Sequence, residues 1–267
     1  MGDRISIHIS DGVADVRLNR PDKMNALDRA MFDGLNDAAE RLSKTKGLRA
    51  IALSGEGRAF CAGLDFGSFQ QMGDGDRELV HRLTDRTHGL ANHAQNVAWA
   101  WRELPVPVIA AVHGVAFGGG CQIALGADVR LIAPDARMSV MEIKWGLVPD
   151  MAGLALMRGL AREDVVRELT FTGRQIEGQE AVDLGFATRV EADPRAAALA
   201  MAREIASKSP DAVRAAKRLL NMTADADAAA ILLAESEEQE KLIGSPNQVE
   251  AVKAGLAKRA PDFKDIA

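Results

Sequence analysis

The chain has 267 residues, 47% apolar and 27% charged, a balance that suits one large globular domain, or a core plus an appendage, with enough length to bury a sizeable core. A formal net charge of -5, the absence of Tyr and an aromatic content of 4% argue against nucleic-acid binding, which relies on basic excess and stacking side chains. Two cysteines, Cys61 and Cys121, rule out a disulfide scaffold; five scattered histidines without HExxH or paired CxxC spacing predict no metal; and the lack of a leader-like N-terminus or a membrane-length apolar run predicts a cytoplasmic protein without membrane contact.

In chain order, R-I-S-I-H-I alternates and reads as a half-buried strand with Ile5, Ile7 and Ile9 on one face. Asp11-Gly12 is a hairpin turn, and V-A-D-V-R-L is the second strand, starting at Val13. After the polar loop N-R-P-D-K-M-N, Asp28 can cap a helix that carries Met31, Leu35, Ala38 and Leu42 on one stripe. L-R-A-I-A-L-S follows as a buried strand, and the order strand, strand, helix, strand suggests a repeating unit with right-handed crossovers. The glycine-rich loop G-E-G-R-A-F-C-A-G-L-D-F-G comes next, then a solvated loop at 71–77 and a long helix expected over 77–103, ending before Pro105. V-P-V-I-A-A-V (106–112) is a central strand; after the triple glycine come a small-residue helix from about Gly120, a strand V-R-L-I-A, and a strand-then-turn segment at 138–150. From 151 onward the chain reads as mainly helical, with Val213, Ala216 and Leu220 at helical spacing. A boundary near 195 divides an α/β core, residues 1–195, from a helical C-terminal part, residues 196–267.

The three consecutive glycines Gly118–Gly120 sit where a strand meets a helix. The first amides of a helix have no intrahelical partner and lie at the positive end of its dipole, so a glycine turn there admits an oxygen to the backbone. The same run can equally be a tight turn packed under another element. Neither GxGxxG nor GxxxxGK[ST] is present in this stretch, which disfavours a nucleotide. A second loop, A-F-C-A-G-L-D (59–65), also follows a buried strand with glycine beside small residues, and two such loops can each supply one amide to a single carbonyl oxygen, an oxyanion hole.

The motifs L-N-R-P-D-K-M-N-A-L-D, S-G-E-G-R-A-F-C-A-G-L-D and A-A-V-H-G-V-A-F-G-G-G-C-Q-I-A-L-G-A-D, in that order and spacing, resemble the crotonase (enoyl-CoA hydratase/isomerase) superfamily over nearly the whole chain, including the tail A-G-L-A-K-R-A-P-D-F. The resemblance implies an α/β fold, a spiral of strand-strand-helix units with a helical C-terminal part that forms trimers or dimers of trimers. It implies an acyl-CoA substrate, with CoA as part of that substrate and no separate cofactor. The amides of Leu64 and Gly119 match the two oxyanion donors that would hold an enolate. Lys23, Met24 and Ala26, with Ala62, Gly63, Asp65 and Gly118, fall where the family lines CoA and the thioester. Lys258 and Phe263 match residues that reach the adenine end, sometimes across a subunit boundary.

The reaction turns on the acids. Typical hydratases of the family carry two glutamates; this chain has Gln122 at the first position and Glu142 at the second. A carboxamide cannot take up and return a proton at neutral pH, though it can orient water by hydrogen bonding. Asp150, eight residues after Glu142, matches the catalytic aspartate of dienoyl-CoA isomerases, and moving a proton between distant carbons needs two separate carboxyls; the same residue can also be read as a helix cap. The sequence therefore points to double-bond isomerisation by Glu142 and Asp150. The alternatives are hydration by Glu142 with Gln122 in support, and a catalytically silent CoA-thioester-binding protein. A dehalogenase branch would need a histidine partner, for which His93 is only a loose match. An RNA-binding member is disfavoured because the first long helix is mixed in charge. Cys61, Cys121 and His113 read as structural, and Asp74–Asp76 as a solvated loop, part of a flap.

Overall fold

A computed structural model describes residues 3–67 and 83–265. β1 (Ile5–Ser10) and β2 (Val13–Leu18) form the expected hairpin, with Asp11 and Gly12 both left-handed at φ 51° and 75°, as a two-residue turn between twisted strands requires. Ile5 and Ile7 pack against the core while Ile9 is exposed. α1 (Arg29–Ser43) starts at Asp28, whose side chain accepts from the Met31 amide at 2.9 Å and from Arg4 at 2.6 Å; Met31, Leu35, Ala38 and Leu42 are all buried.

β3 (Ala50–Gly55) and β4 (Val108–Val112) are buried at every position, the signature of strands covered on both faces. Between them the long helix expected over 77–103 is not what forms. The helix α2 runs only from His93 to Glu103, residues 83–92 are turns, and 77–82 lie outside the described residues. Asn92 stops it from starting earlier: its side chain accepts from the Gln95 amide at 2.7 Å while the Gln95 side chain accepts from the Asn92 amide at 3.0 Å, a reciprocal cap that requires extended backbone at Asn92. The expected loop at 71–77, with its Asp74–Asp76 flap, also lies outside the described residues.

The later units repeat the pattern: β5 (Val115–Phe117) and α3 (Gly119–Leu125), then β6 (Val129–Ile132), β7 (Arg137–Ser139) and a short 3-10 helix, Glu142–Trp145. α4 (Gly153–Met157), α5 (Glu163–Thr172), β8 (Ile176–Glu177), α6 (Gly178–Asp183) and β9 (Arg189–Val190) complete the spiral. One sheet has the order β1-β2-β3-β4-β6-β9, parallel except for the hairpin, and the other has the order β5-β7-β8. Strands β4 and β6 thus go to the first sheet and their successors β5 and β7 to the second, which stacks the units as a spiral.

The two faces of the larger sheet are covered differently. Ile51, Leu53, Val108 and Ala110 point into the main core with α1 and α2, whereas Ala50, Ala52, Ile109 and Ala111 face α7 (Pro194–Ala206). α7 presents Ala198, Ala202 and Ala206 at four-residue spacing, and alanine on both sides allows close approach. It spans the position near 195 where the sequence suggests the end of the core. α8 (Pro210–Met222) is anchored by buried Lys217, which donates to the Trp101 and Val106 carbonyls at 3.1 and 2.9 Å and pairs with Asp128 at 2.8 Å. α9 (Ala228–Leu242) has no buried residue, and α10 (Pro246–Leu256) ends the helical part.

Candidate active site

Short backbone ladders bring the two glycine loops together. Residues 24–27 run beside 61–65: the Ala62 amide donates to Met24, Leu27 to Gly63 and Asp65 to Leu27, at 2.8–3.1 Å. On its other side the same segment pairs with β5, the Cys61 amide donating to Val115 and Phe117 to Cys61, both at 3.0 Å. This leaves the Leu64 amide without an acceptor among the described residues. The Gly119 amide is likewise free there, being the first of α3. The two regions touch: a Cβ added to Gly63, which has φ +88°, would lie 2.6 Å from the Phe117 carbonyl oxygen and 3.9 Å from the Gly119 nitrogen.

Each glycine of the triple run is glycine for its own reason. Gly118 has φ 51° and ψ -119°, outside the reach of L side chains, and a Cβ on it would face the Glu142 carboxyl at 3.3 Å. A Cβ on Gly119 would strike Met151 Sδ at 2.6 Å and Leu27 at 2.8 Å, and one on Gly120 would strike the Cys61 carbonyl oxygen. What approaches the backbone at 118–120 is therefore both the neighbouring loop and the Glu142 carboxyl: the run is a packed turn, and it leaves the Gly119 amide without an acceptor among the described residues.

The carboxyl side is built by the 3-10 helix and the loop after it. Glu142 is 8% exposed; its Oε1 accepts from Gln122 Nε2 at 2.6 Å, and its Oε2 is buried with no partner among the described residues. Gln122 is wholly buried, and its Oε1 accepts from the Met151 and Gly153 amides at 2.9 and 2.8 Å, which fixes the orientation of the amide group. Burial pushes the Glu142 carboxyl above the usual range, the charge of Asp150 pushes it further, and the Gln122 donor opposes the shift. Asp150 keeps surface in solvent, yet crowding around its carboxyl raises it as well. Asp150 caps no helix: α4 has Ala152 as its N-cap, with no side-chain cap bond. Two carboxyls held towards their protonated forms, one aware of the other's charge, are suited to proton transfer with a ligand at the junction.

A family model for enoyl-CoA hydratase/isomerase matches residues 8–266. The chain belongs to this family, within the crotonase superfamily, and is an enzyme of that superfamily. It is 33% identical to a mouse mitochondrial Delta(3,5)-Delta(2,4)-dienoyl-CoA isomerase, over 95% of this chain and 79% of that protein. It is 30% identical to a probable enoyl-CoA hydratase of Bacillus subtilis, over 97% and 98% of the two chains. A crystal structure of enoyl-CoA hydratase from Bacillus anthracis superposes with a TM-score of 0.89 at 29% identity, covering 98% of this chain and 99% of that one.

Leu64, Gly119, Gly118, Gly63, Gln122 and Glu142 meet at the junction of the loops. Ala62 and Met24 are half-buried beside it, Ala26 is buried, and Lys23 is exposed at the end of a 3-10 turn (Pro21–Lys23). Asp65, expected to meet the ligand, is occupied: Arg20 Nη1 pairs with it at 2.7 Å, and it accepts from the Gly67 amide at 2.8 Å, so it fastens the loop. Phe263 is not brought to this junction in the same chain, and Lys258 lies just past the end of α10 in the C-terminal helical part. The Phe263 carbonyl accepts from Arg49 at 2.9 Å, and Arg49 precedes β3, whereas Leu64 follows the strand's other end; six residues of β-strand span about 20 Å.

His93 lies 3.0 Å from Asp33 and 3.1 Å from the Asn36 side chain on α1. It lines a groove of about 730 Å³ between α1 and α2, with Asn36, Glu40, His88 and Trp99, which shares no residue with the Leu64–Gly119–Glu142 junction. His113 braces the Gly57 carbonyl at 3.0 Å, and Cys61 donates to Asn25 O at 3.1 Å with burial pushing its thiol up to about 12.

The residue that sequence reasoning missed is Asn25. Fully buried at φ 55°, it donates to the carbonyls of Glu56, Ala59 and Phe60 and accepts from the Arg20 amide at 2.8 Å, stitching the 20–27 loop to the 56–61 loop. An Asn in a polar loop carries no sequence sign of burial; the one signal the residue type offers is that Asn is among the best-suited residues after Gly for left-handed backbone, which Asn25 adopts.

Proposed function

We propose that the protein isomerises a dienoyl-CoA, moving conjugated double bonds from the 3,5 to the 2,4 positions. The supporting observation is the state of Gln122. Both acceptor sites of its oxygen are taken by backbone amides and it carries no titratable proton, so the second acid of a two-glutamate hydratase has no substitute there. Among the described residues, the carboxyls that remain at the junction are Glu142 and Asp150. The thioester oxygen sits between the Leu64 and Gly119 amides. Glu142, beside the Gly118 turn, takes a proton from C2; the C–H electrons delocalise along the chain and onto the oxygen, and the amides hold that charge. Asp150 returns a proton at C6, which leaves double bonds at C2 and C4 with no net change in composition. The dienoyl-CoA isomerase relative supports this substrate class.

The CoA portion lies along residues 23–26 and 62–63, with exposed Lys23 towards the phosphates. Lys258 and Phe263 serve a neighbouring subunit's ligand. Exposed Leu220, Leu232, Leu233, Val252 and Leu256 on α8–α10 supply an apolar face for a homotrimer or a dimer of trimers.

Ultraviolet assays on a 3,5-dienoyl-CoA and a 2-enoyl-CoA test the reading. Conversion of the first, reduced by about 10²–10⁴-fold in Asp150→Asn, is expected. Hydration of the second with no isomerisation would favour the hydratase alternative, and turnover of neither would favour a silent thioester-binding protein.

A further inference from the structure

We propose that Gln122 is a positioning residue: it holds one oxygen of Glu142 and leaves the other, Oε2, as the single atom of that carboxyl that can move a proton. The inference rests on the isomerase reading above, because it concerns how one of its two carboxyls is set.

The geometry leaves little choice. The Gln122 oxygen must be the acceptor, since the Met151 and Gly153 amides that reach it at 2.9 and 2.8 Å can only donate. The NH2 group is then turned to Glu142 Oε1 at 2.6 Å. A donor at this atom stabilises the charged form of Glu142 against the burial that opposes it, and it restricts rotation of the carboxyl. Oε2 is left buried and, among the described residues, unpartnered, a costly state for a polar atom unless a ligand completes it. The same amide reaches the segment that carries Asp150, because Met151 and Gly153 flank the turn immediately after it. Gly153 must be glycine for this contact: a Cβ there would lie 2.5 Å from the Gln122 oxygen. One side chain therefore sets the register between the two carboxyls.

Two substitutions separate this role from simple packing. Gln122→Met removes both functions. Gln122→Glu keeps an acceptor for Met151 and Gly153 but replaces the donor to Glu142 with a second carboxyl, which must share a proton with it. Carbon-13 NMR of the Glu142 carboxyl, assigned by its loss in Glu142→Gln, reads the titration without any turnover. We expect the Glu142 midpoint to move upward in both variants. We expect kcat for isomerisation to fall by about 10- to 100-fold, the loss typical when a partner that orients a reacting group is removed, with KM for the thioester unchanged. If Gln122→Met does not fold, Gln122→Glu carries the test alone. An unmoved Glu142 midpoint in a folded variant would overturn the proposal. Absence of dienoyl-CoA turnover by the parent protein, with the midpoint displaced as expected, would overturn the isomerase reading and leave the Gln122 contact standing.

Discussion

The two halves of the site are built from different materials. The amide half, Gly63–Leu64 and Gly118–Gly120, is backbone packed on backbone: added side chains at Gly63 or Gly120 would strike carbonyl oxygens of Phe117 or Cys61. The carboxyl half, residues 142–150, is a 3-10 turn and a loop whose apolar residues Ile143, Trp145, Leu147 and Val148 are exposed, and its one buried acid is steadied by a side chain from α3. Under the proposed function the difference has a chemical reading. A rigid pair of amides would stabilise charge on a thioester oxygen, a need common to many reactions. The choice of reaction would rest on which carboxyls face which carbon, written in a more open segment where substitutions are expected to change chemistry without collapsing the fold.

Substitutions at the two halves should therefore differ in kind. The largest effect on stability is expected from Gly120→Ala. Its Cβ would overlap a backbone oxygen that cannot rotate away, so destabilisation of about 3 kcal/mol is expected by chemical denaturation, with activity lost through unfolding. Glu142→Gln should cost catalysis roughly 10²–10⁴-fold while leaving the protein folded. Its stability should follow the sign of the shift: with a carboxyl raised above its unfolded value, the parent is most favoured below the ordinary glutamate range and loses that advantage as pH rises through the raised value. The Gln variant, which cannot ionise, should match the parent in acid and melt higher than it at alkaline pH; a lower melting point at alkaline pH would contradict the burial argument. The smallest effect is expected at Gly146, also left-handed at φ 71° but with nothing within 4 Å of an added Cβ: Gly146→Ala should cost only the backbone strain, about 1 kcal/mol, in a thermal melt.

The amide half was the more legible in sequence, for the same reason that it is rigid. Glycines forced by close approach leave a sequence mark, as do the hairpin at Asp11-Gly12 and the Asp28 cap with its buried stripe. Features made by long-range partnership left little mark. Gln122 shows its residue type in the sequence but not that its oxygen is saturated by Met151 and Gly153. Asp65 reads as a ligand contact until Arg20 is seen on it. The helix expected over 77–103 begins, among the described residues, only at His93, because Gly89 and Asn92 are stop signals and Asn92 forms the reciprocal cap with Gln95. On α8, Val213 and Leu220 have helical spacing, but Pro210, Ala215 and Lys217 are the buried residues and Leu220 faces outward, because the spacing identifies a helix and not which side the chain itself covers.

The central claim is that amides from two separate loops share one thioester oxygen, and a crystal structure with a non-reactive acyl-CoA analogue tests it most directly. The carbonyl oxygen is expected at about 2.7–3.1 Å from both the Leu64 and the Gly119 nitrogen, with Glu142 Oε2 facing C2. A thioester bound with its oxygen on any other donor, and those two amides still empty, would contradict the account.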